Sequence, residues 1–422
     1  MTRFESHTLS RSESIQNVLV FAFLSLSLVL PGAYVLLCLA LTGMGLWPMG
    51  RWRNHWTALW QWPEVRRMVW GVGLFVVMGI FVGFWYGYKL SYYEAFVPFV
   101  LMPFMLSGVI GARLQAQVLW LGAATGAILA GALASYQSLV MHIGRAMGAM
   151  NHPIVFGDLA VVLACISLFG ILFFEQARSS WLVRMYMVFG AVFGVWASLL
   201  SGSKGGWLSI VMVLIVFAWK LMAQKPVMWR LASVLVIGLL VAKGVWLAPD
   251  ELVVQRVQQG FNGGLHWYKT GEVVDWSVSI RLELWSYAVH LFAERPWLGW
   301  GGGEALRKLG EHLKPLAVPE GIAPVFENDI LHYAAVSGLV GLSSLVALFG
   351  GLFAGFWQLQ RRKHARIQAY VLLGMLLVVL IFEFGLTVNA LGRNAFRYFF
   401  STLTVMLLGL AWMAGDDSKD RP

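Results

Sequence analysis

Charged side chains are scarce in this sequence: Asp, Glu, Lys and Arg together make up 12% of it, about half the share of a soluble globular chain. That shortage excludes an ordinary water-soluble fold. Cysteine is rarer still. Cys38 and Cys165 are the two thiols, and both sit in apolar runs, so neither a disulfide framework nor a cysteine metal site has a basis. Acidic residues number 21 against 31 Lys and Arg, a net charge of +10. In a soluble chain that excess points to nucleic acid, but in a membrane protein it is first a topology signal, and no nucleic-acid partner is expected. The usual enzyme fingerprints are missing too. Ser201-Gly202-Ser203-Lys204-Gly205-Gly206 lacks the spacing of a phosphate-binding P-loop, and neither a paired-histidine metal motif nor a Gly-x-Ser-x-Gly elbow occurs. ATP-driven transport and metalloprotease chemistry are therefore set aside, and no metal or cofactor is expected.

What the sequence does have is hydrophobic length. Apolar residues form 59% of the 422 positions and gather in runs long enough to cross a ~30 Å hydrocarbon core as helices. Spans are predicted at 17–30, 32–48, 68–87, 95–110, 116–137, 153–174, 184–201, 206–222, 230–247, 334–357, 368–388 and 396–414. The expected fold class is thus an all-α polytopic membrane protein of about twelve transmembrane helices with one long, partly helical periplasmic loop. The first run continues past signal-peptide length, so it reads as a retained span. Pro31-Gly32 either turns a short hairpin between the first two spans or kinks one long helix.

Lys and Arg sort by side. Arg51, Arg53, Arg66, Arg67, Arg113, Arg178, Arg184, Lys220, Lys225, Arg230 and the Arg361 to Arg366 group fall on the side that also holds both tails. The short loops of the other side hold only Lys89, Arg145, Lys204, Arg393 and Arg397. Both termini are therefore expected in the cytoplasm. Three segments follow: 1–244 with nine spans, 245–331 as a periplasmic loop carrying the chemistry, and 332–422 with three spans and the cytoplasmic tail. Within the loop, Ile280, Leu284, Tyr287, Ala288 and Leu291 recur at helical spacing, Ser277 is placed to cap the helix and Pro296 stops it. Trp276, Trp285 and Trp297 are suited to anchor it at the membrane boundary.

Isolated cations on the cation-poor side carry the functional argument: Arg145, Lys204, Arg256, Arg281, Arg393 and Arg397. Any one of them can snorkel to headgroups. Several together suit a membrane-bound anion such as a lipid pyrophosphate, because arginine brings planar donor forks. Trp300, in the Trp297 to Gly303 run, is either part of a lid that stacks on sugars or part of a tight turn. His152, in Asn151-His152-Pro153, either contacts donor phosphate or caps a helix that begins at proline. Glu383 and Asp158, ionisable residues inside predicted spans, are functional candidates by default, with Asn389 or Arg393 as possible partners of Glu383.

Four stretches occur in order: Arg145…Asn151-His152-Pro153-Ile154-Val155-Phe156-Gly157; Ser201-Gly202-Ser203-Lys204-Gly205-Gly206; Ser279-Ile280-Arg281-Leu282-Glu283-Leu284-Trp285 leading to Arg295-Pro296-Trp297-Leu298-Gly299-Trp300-Gly301; and Glu327-Asn328-Asp329-Ile330-Leu331 leading to Gly338-Leu339-Val340-Gly341. This succession resembles the O-antigen ligase and polymerase family of bacterial envelope glycosyltransferases. The resemblance implies transfer of a glycan from undecaprenyl pyrophosphate at the periplasmic face of the inner membrane. In a ligase the acceptor is the lipid A core; in a polymerase it is another lipid-linked repeat. It also implies that Arg281 matches a family arginine and that Lys204 stands where relatives carry arginine. The last stretch departs further: Glu327 falls where relatives have histidine before the asparagine at Asn328. Two bases are then open, Glu327 itself or His332, one turn beyond Asn328. The sequence sets His332 first, because a neutral imidazole accepts a proton at working pH while a glutamate has to be desolvated to do so. Catalytic candidates are therefore Arg281, His332, Glu327 and Asn328. Lys204, Arg145, His152, Arg256, Arg393, Arg397 and Trp300 are candidates for binding substrate. Concentration of the outer chemistry in one loop favours ligase over polymerase. A transporter or flippase would show pseudo-symmetric halves, which the sequence lacks.

Overall fold

In the computed structural model the described residues are 11–46, 51–247, 254–274, 278–316, 325–362 and 364–416. All regular structure among them is helical. The helices are α1 (Arg11–Leu26), α2 (Ala33–Leu46), α3 (Arg51–Trp60), α4 (Pro63–Trp85), α5 (Leu90–Tyr93), α6 (Val97–Gly111), α7 (Ala116–Ser135), α8 (Pro153–Phe173) and α9 (Glu175–Ser179). They continue with α10 (Trp181–Ser201), α11 (Lys204–Leu221), α12 (Val227–Leu247), α13 (Val254–Thr270), α14 (Ser279–Glu294), α15 (Gly302–Leu313), α16 (Asp329–Leu359), α17 (Ala365–Phe384) and α18 (Asn394–Asp416).

Nine helical stretches among the described residues are long and apolar enough to cross a membrane, and three of the twelve expected spans coincide with shorter apolar stretches, Ser12–Leu26, Ala33–Leu46 and Val227–Leu239. The first two form a hairpin. Gly32 takes φ of 70°, a left-handed value open to glycine, and α1 and α2 pack against each other. Proline opens α4 and α8 in the first turn, where its missing N–H costs nothing. The innermost helices are α8, α17 and α18, while α4, α10 and α11 show most of their surface to the outside.

Charge marks one end of the bundle. Arg362, just past α16, lies 3.6 Å from Glu64 on α4 and over the Trp62 ring at 3.5 Å, while Arg366 on α17 pairs with Glu175 at 2.9 Å. The opposite end carries the N-termini of α8, α11, α16 and α18.

Above that opposite end, α13, α14 and α15 form a separate layer. The expected helix at 277–294 is α14. Ser277 and Trp276 lie outside the described residues, and Val278 holds the N-cap position. Leu284, Ala288 and Leu291 of α14 join Ala305, Leu309 and Leu313 of α15, Phe326, and Ala335 and Val336 of α16 in a second apolar core. Glu283 ties the layer together: it accepts from Trp267 Nε1 of α13 at 2.8 Å and meets His312 Nε2 of α15 at 2.6 Å. The Tyr287 ring stacks on His312 with centroids 4.0 Å apart.

The layer is also stitched to α16. That helix breaks at Gly338, where φ is 60° and ψ is −147°. A break inside a span frees backbone groups that lipid cannot satisfy, and here the loop before α15 satisfies them. The Trp300 and Gly301 amides donate to the Ala335 and Val336 carbonyls at 3.0 and 2.9 Å. In return, the Leu339 and Val340 amides donate to Pro296 and Trp297 carbonyls at 2.7 and 3.3 Å. Tyr86, past the end of α4, donates its hydroxyl to the Leu298 and Gly299 carbonyls at 3.0 and 2.9 Å. Of the two readings of Trp297 to Gly303, the docked tight turn is the one formed.

Candidate active site

The site is built where four helices begin. At α8, His152 is the N-cap: its Nδ1 accepts from the Val155 amide at 3.4 Å, and extended backbone at His152 follows a left-handed Asn151 at φ of 53°. At α11, Gly202 turns the chain in a left-handed conformation at the end of α10, Ser203 is the cap position and Lys204 opens the helix. Ser203 Oγ donates to Asp158 Oδ1 of α8. Gly206 is held to glycine by space, because a Cβ there would stand 2.8 Å from Ser198 Oγ and 2.9 Å from Asp158 Oδ1.

At α16, Asn328 caps the helix. Its Oδ1 accepts from the Leu331 amide at 3.0 Å while its Nδ2 donates to the Leu386 carbonyl at 3.0 Å. Next to it, buried Asp329 accepts from the Leu391 amide at 3.2 and 3.1 Å through its two oxygens. These bonds fold the turn 385–393 under the start of α16 and set Arg393 immediately before α18. Thr387 of the same turn reaches Gly205 of α11. Each helix N-terminus exposes unpaired amides and a partial positive charge, so their meeting point favours an anion before any side chain is counted.

Glu327 sits in the middle. It is largely buried, its φ of 48° is left-handed, and its Oε2 is shut from solvent with no hydrogen-bond partner. Arg281 from α14 and Arg393 are its charged neighbours. Burial pushes the Glu327 carboxyl above its ordinary range, and the two guanidiniums pull it partly back. Arg393 is shared with His152. Burial first, and then Arg393 and Arg145, lower the His152 imidazole to about 4, so it is neutral near pH 7 and keeps its capping lone pair.

The remaining candidates whose side chains are described have surroundings of their own. Arg145 gives Nε to the Ser201 carbonyl at 2.9 Å and Nη2 to the Gly202 carbonyl at 3.3 Å, placing a cation on the negative end of α10. The Lys204 ammonium reaches the outer layer, 4.0 Å from where a Cβ would stand on Gly260 of α13. Arg397 donates Nη1 to the Leu391 carbonyl at 2.9 Å and Nη2 to Asn394 Oδ1, so it braces the turn that presents Arg393. Trp300 carries Arg295 at 3.8 Å and Lys308 at 4.0 Å over its ring, and its indole donates to the Leu291 carbonyl at 3.0 Å. Arg256 lies on α13, and its side chain is outside the described residues. His332, in the first turn of α16, neighbours the rings of Phe326 and Tyr333 at 6.1 and 5.9 Å, and its Nδ1 is buried with no hydrogen-bond partner.

Two relationships escaped the sequence. Glu383 accepts from Ser209 of α11, whereas the sequence points to Asn389 or Arg393; the helix facing it is set by packing, which sequence distance does not reveal. The second is the role of the turn 385–391, whose residues carry no motif of their own. Its one signal was Asn328, whose amide needs a partner once buried. A cavity of about 370 Å³ bounded by Gln115, Glu175, Arg366 and Tyr370 lies at the other end of the bundle and takes no part in this arrangement.

Comparison with curated proteins finds no match. Residues 189–346, which carry Lys204, Arg281, Glu327, Asn328 and His332, match the family model described as O-antigen ligase, so this segment of the chain is similar to that family.

Proposed function

We propose that the chain is the ligase, a glycosyltransferase that moves an O-antigen polysaccharide from undecaprenyl pyrophosphate to a lipid A core sugar at the periplasmic face of the bacterial inner membrane. The observation that carries this reading is Glu327, a buried carboxyl in a left-handed backbone conformation between Arg281 and Arg393, where helix N-termini meet. Backbone strain of this kind is sustained where surrounding structure enforces it, and it clusters at functional sites.

In the reaction, an acceptor sugar hydroxyl attacks the anomeric carbon of the donor, the bond from that carbon to the pyrophosphate oxygen breaks, and the hydroxyl proton passes to Glu327. Arg281 and Arg393 stabilise the charge that grows on the leaving pyrophosphate, with Lys204 and Arg145 at the adjoining helix ends. Preorganised donors aimed at developing charge are often the largest catalytic contribution, and a positioned base adds ~10²- to 10⁴-fold. Glu327 is preferred to His332 because it stands beside the phosphate-binding arginines, while the imidazole packs among aromatic rings. Asn328 acts as the cap that holds Glu327 in place.

The test is lipopolysaccharide banding in a deletion strain complemented with wild type, Arg281→Ala, Glu327→Gln or His332→Ala, with membrane levels checked by blot. A bare core band, with polymerised glycan left on its carrier, is expected for the deletion, for Arg281→Ala and for Glu327→Gln. Cores bearing a single repeat identify a polymerase instead. A silent His332→Ala beside an active Glu327→Gln transfers the base to His332.

A further inference from the structure

Helices α10 and α11 run antiparallel to each other on either side of the tight turn at Gly202 and Ser203. They touch each other little, but both pack on α8. Between them remains a wedge-shaped cavity of about 560 Å³, floored by Val161, Cys165 and Leu168 of α8 and walled by Val195 of α10 and by Val213 and Leu214 of α11. Along α8 its floor runs from Val161 to Ile171, a helical rise of about 15 Å, or half the thickness of a hydrocarbon core. The polar atoms at its rim are already paired, since Trp196 Nε1 donates to Ser135 Oγ at 2.9 Å.

The apex of the wedge is the cationic turn. Leu199 and Ile210 line its outer end, and directly above them Arg145 is bonded to the Ser201 and Gly202 carbonyls and Lys204 opens α11. On α10, Val192, Trp196 and Leu199 are exposed at its mouth, so the wedge opens sideways toward lipid. An apolar slot of about 560 Å³ under a cationic turn is complementary to a lipid with a single hydrocarbon chain and a multiply charged anionic head. Diacyl phospholipids carry two chains and a smaller headgroup charge.

We propose that this wedge holds the first part of the polyprenyl chain of the pyrophosphate donor, so that the chain's position in the bilayer sets the pyrophosphate beneath Arg145 and Lys204. This rests on the reading of the site as a polyprenyl-pyrophosphate glycosyltransferase. Filling the wedge then weakens use of a long-chain donor while leaving the chemical groups at the site in place.

The full chain in nanodiscs, incubated with a polyprenyl pyrophosphate bearing a diazirine near the head of its chain, is irradiated, digested and mapped by mass spectrometry. Label is expected on peptides covering 161–171, 188–199 and 210–214, displaced by unlabelled polyprenyl pyrophosphate and not by phosphatidylglycerol. Ala191→Trp, which projects into the wedge, is expected to cut labelling about tenfold, the equivalent of about 1.4 kcal/mol. Val346→Trp, on the exposed side of α16, is expected to leave it unchanged. Label confined to other helices, or displaced equally by phosphatidylglycerol, overturns the wedge proposal while glycan transfer from the same carrier continues. Absence of both labelling and transfer overturns the donor reading itself. If Ala191→Trp does not fold, the map on the unaltered protein decides alone.

Discussion

Asn328 and Leu386 are joined by a hydrogen bond of 3.0 Å that fastens the first turn of α16 to the turn leading into α18. The same side chain caps α16 through the Leu331 amide. Asn328→Ala removes both bonds, and Asn328→Asp removes only the donor. Loss of a cap costs about 0.5–2 kcal/mol, so the apparent Tm in detergent is expected to fall most for alanine and less for aspartate. Equal Tm values for the two variants would show that the bond to Leu386, which both lose, accounts for the whole effect and that the cap contributes nothing.

Activity against pH reports on Glu327. Its carboxyl is raised by burial above 4.5 and held down by Arg281 and Arg393. A base has to be ionised, so kcat/KM is expected to fall as pH drops through that raised value, giving an acid limb above the ordinary glutamate range. Arg393→Gln removes one of the two cations, so the limb is expected to move to higher pH. An acid limb that stays put, or moves to lower pH, would sink the assignment of Glu327 as base.

Stability against pH reports on His152. Its imidazole titrates at about 4 in the folded chain against 6.5 unfolded, so between those values the unfolded state binds the extra proton. Stability therefore falls as pH drops from about 6.5 toward 4 and is fully present above that window. His152→Asn keeps a capping acceptor and cannot titrate. The slope of Tm against pH in this window is expected to flatten in that variant. An unchanged slope would assign it to other groups.

Gly338 and Gly350 share α16 and are opposed in their tolerance. Gly338 has a φ of 60° and lies against the Pro296 and Trp297 backbone, whereas a Cβ on Gly350 meets nothing within 4 Å. Gly338→Ala is expected to cost at least ~1–3 kcal/mol from its backbone conformation alone and to lower both Tm and membrane yield. Gly350→Ala is expected to be neutral or to stabilise by up to ~1 kcal/mol. Thermal unfolding of the two purified variants checks the pair.

Much of this architecture was legible before the structure. Apolar run length gave the spans because a helix that crosses lipid needs little more than continuous hydrophobicity. Lys204 and Arg281 stand out in the sequence as cations on the cation-poor side, and Glu327 as the residue that falls where the resembled family has histidine. What stayed hidden depends on the third dimension. Helices α13 and α15 are not signalled by apolar run length, since both are weakly apolar: α15 gains its hold from the core around Leu284 and Phe326, and α13 from the Trp267 bond to Glu283. The sequence places His332 before Glu327, and the proposal of Glu327 rests on packing: both lie near Asn328 in sequence, yet Glu327 has Arg281 and Arg393 as charged neighbours.

The pairing of 296–301 with the break at Gly338 has a mechanical consequence. Lifting α14, and Arg281 with it, off the bundle would strip partners from several backbone groups at once, and each costs about 1–3 kcal/mol if left buried and unpaired. The outer layer is therefore a riveted roof and not a hatch. For the proposed reaction, a rigid ceiling over Glu327 favours entry beneath its eaves, sideways out of the lipid, the route that suits a membrane-anchored carrier.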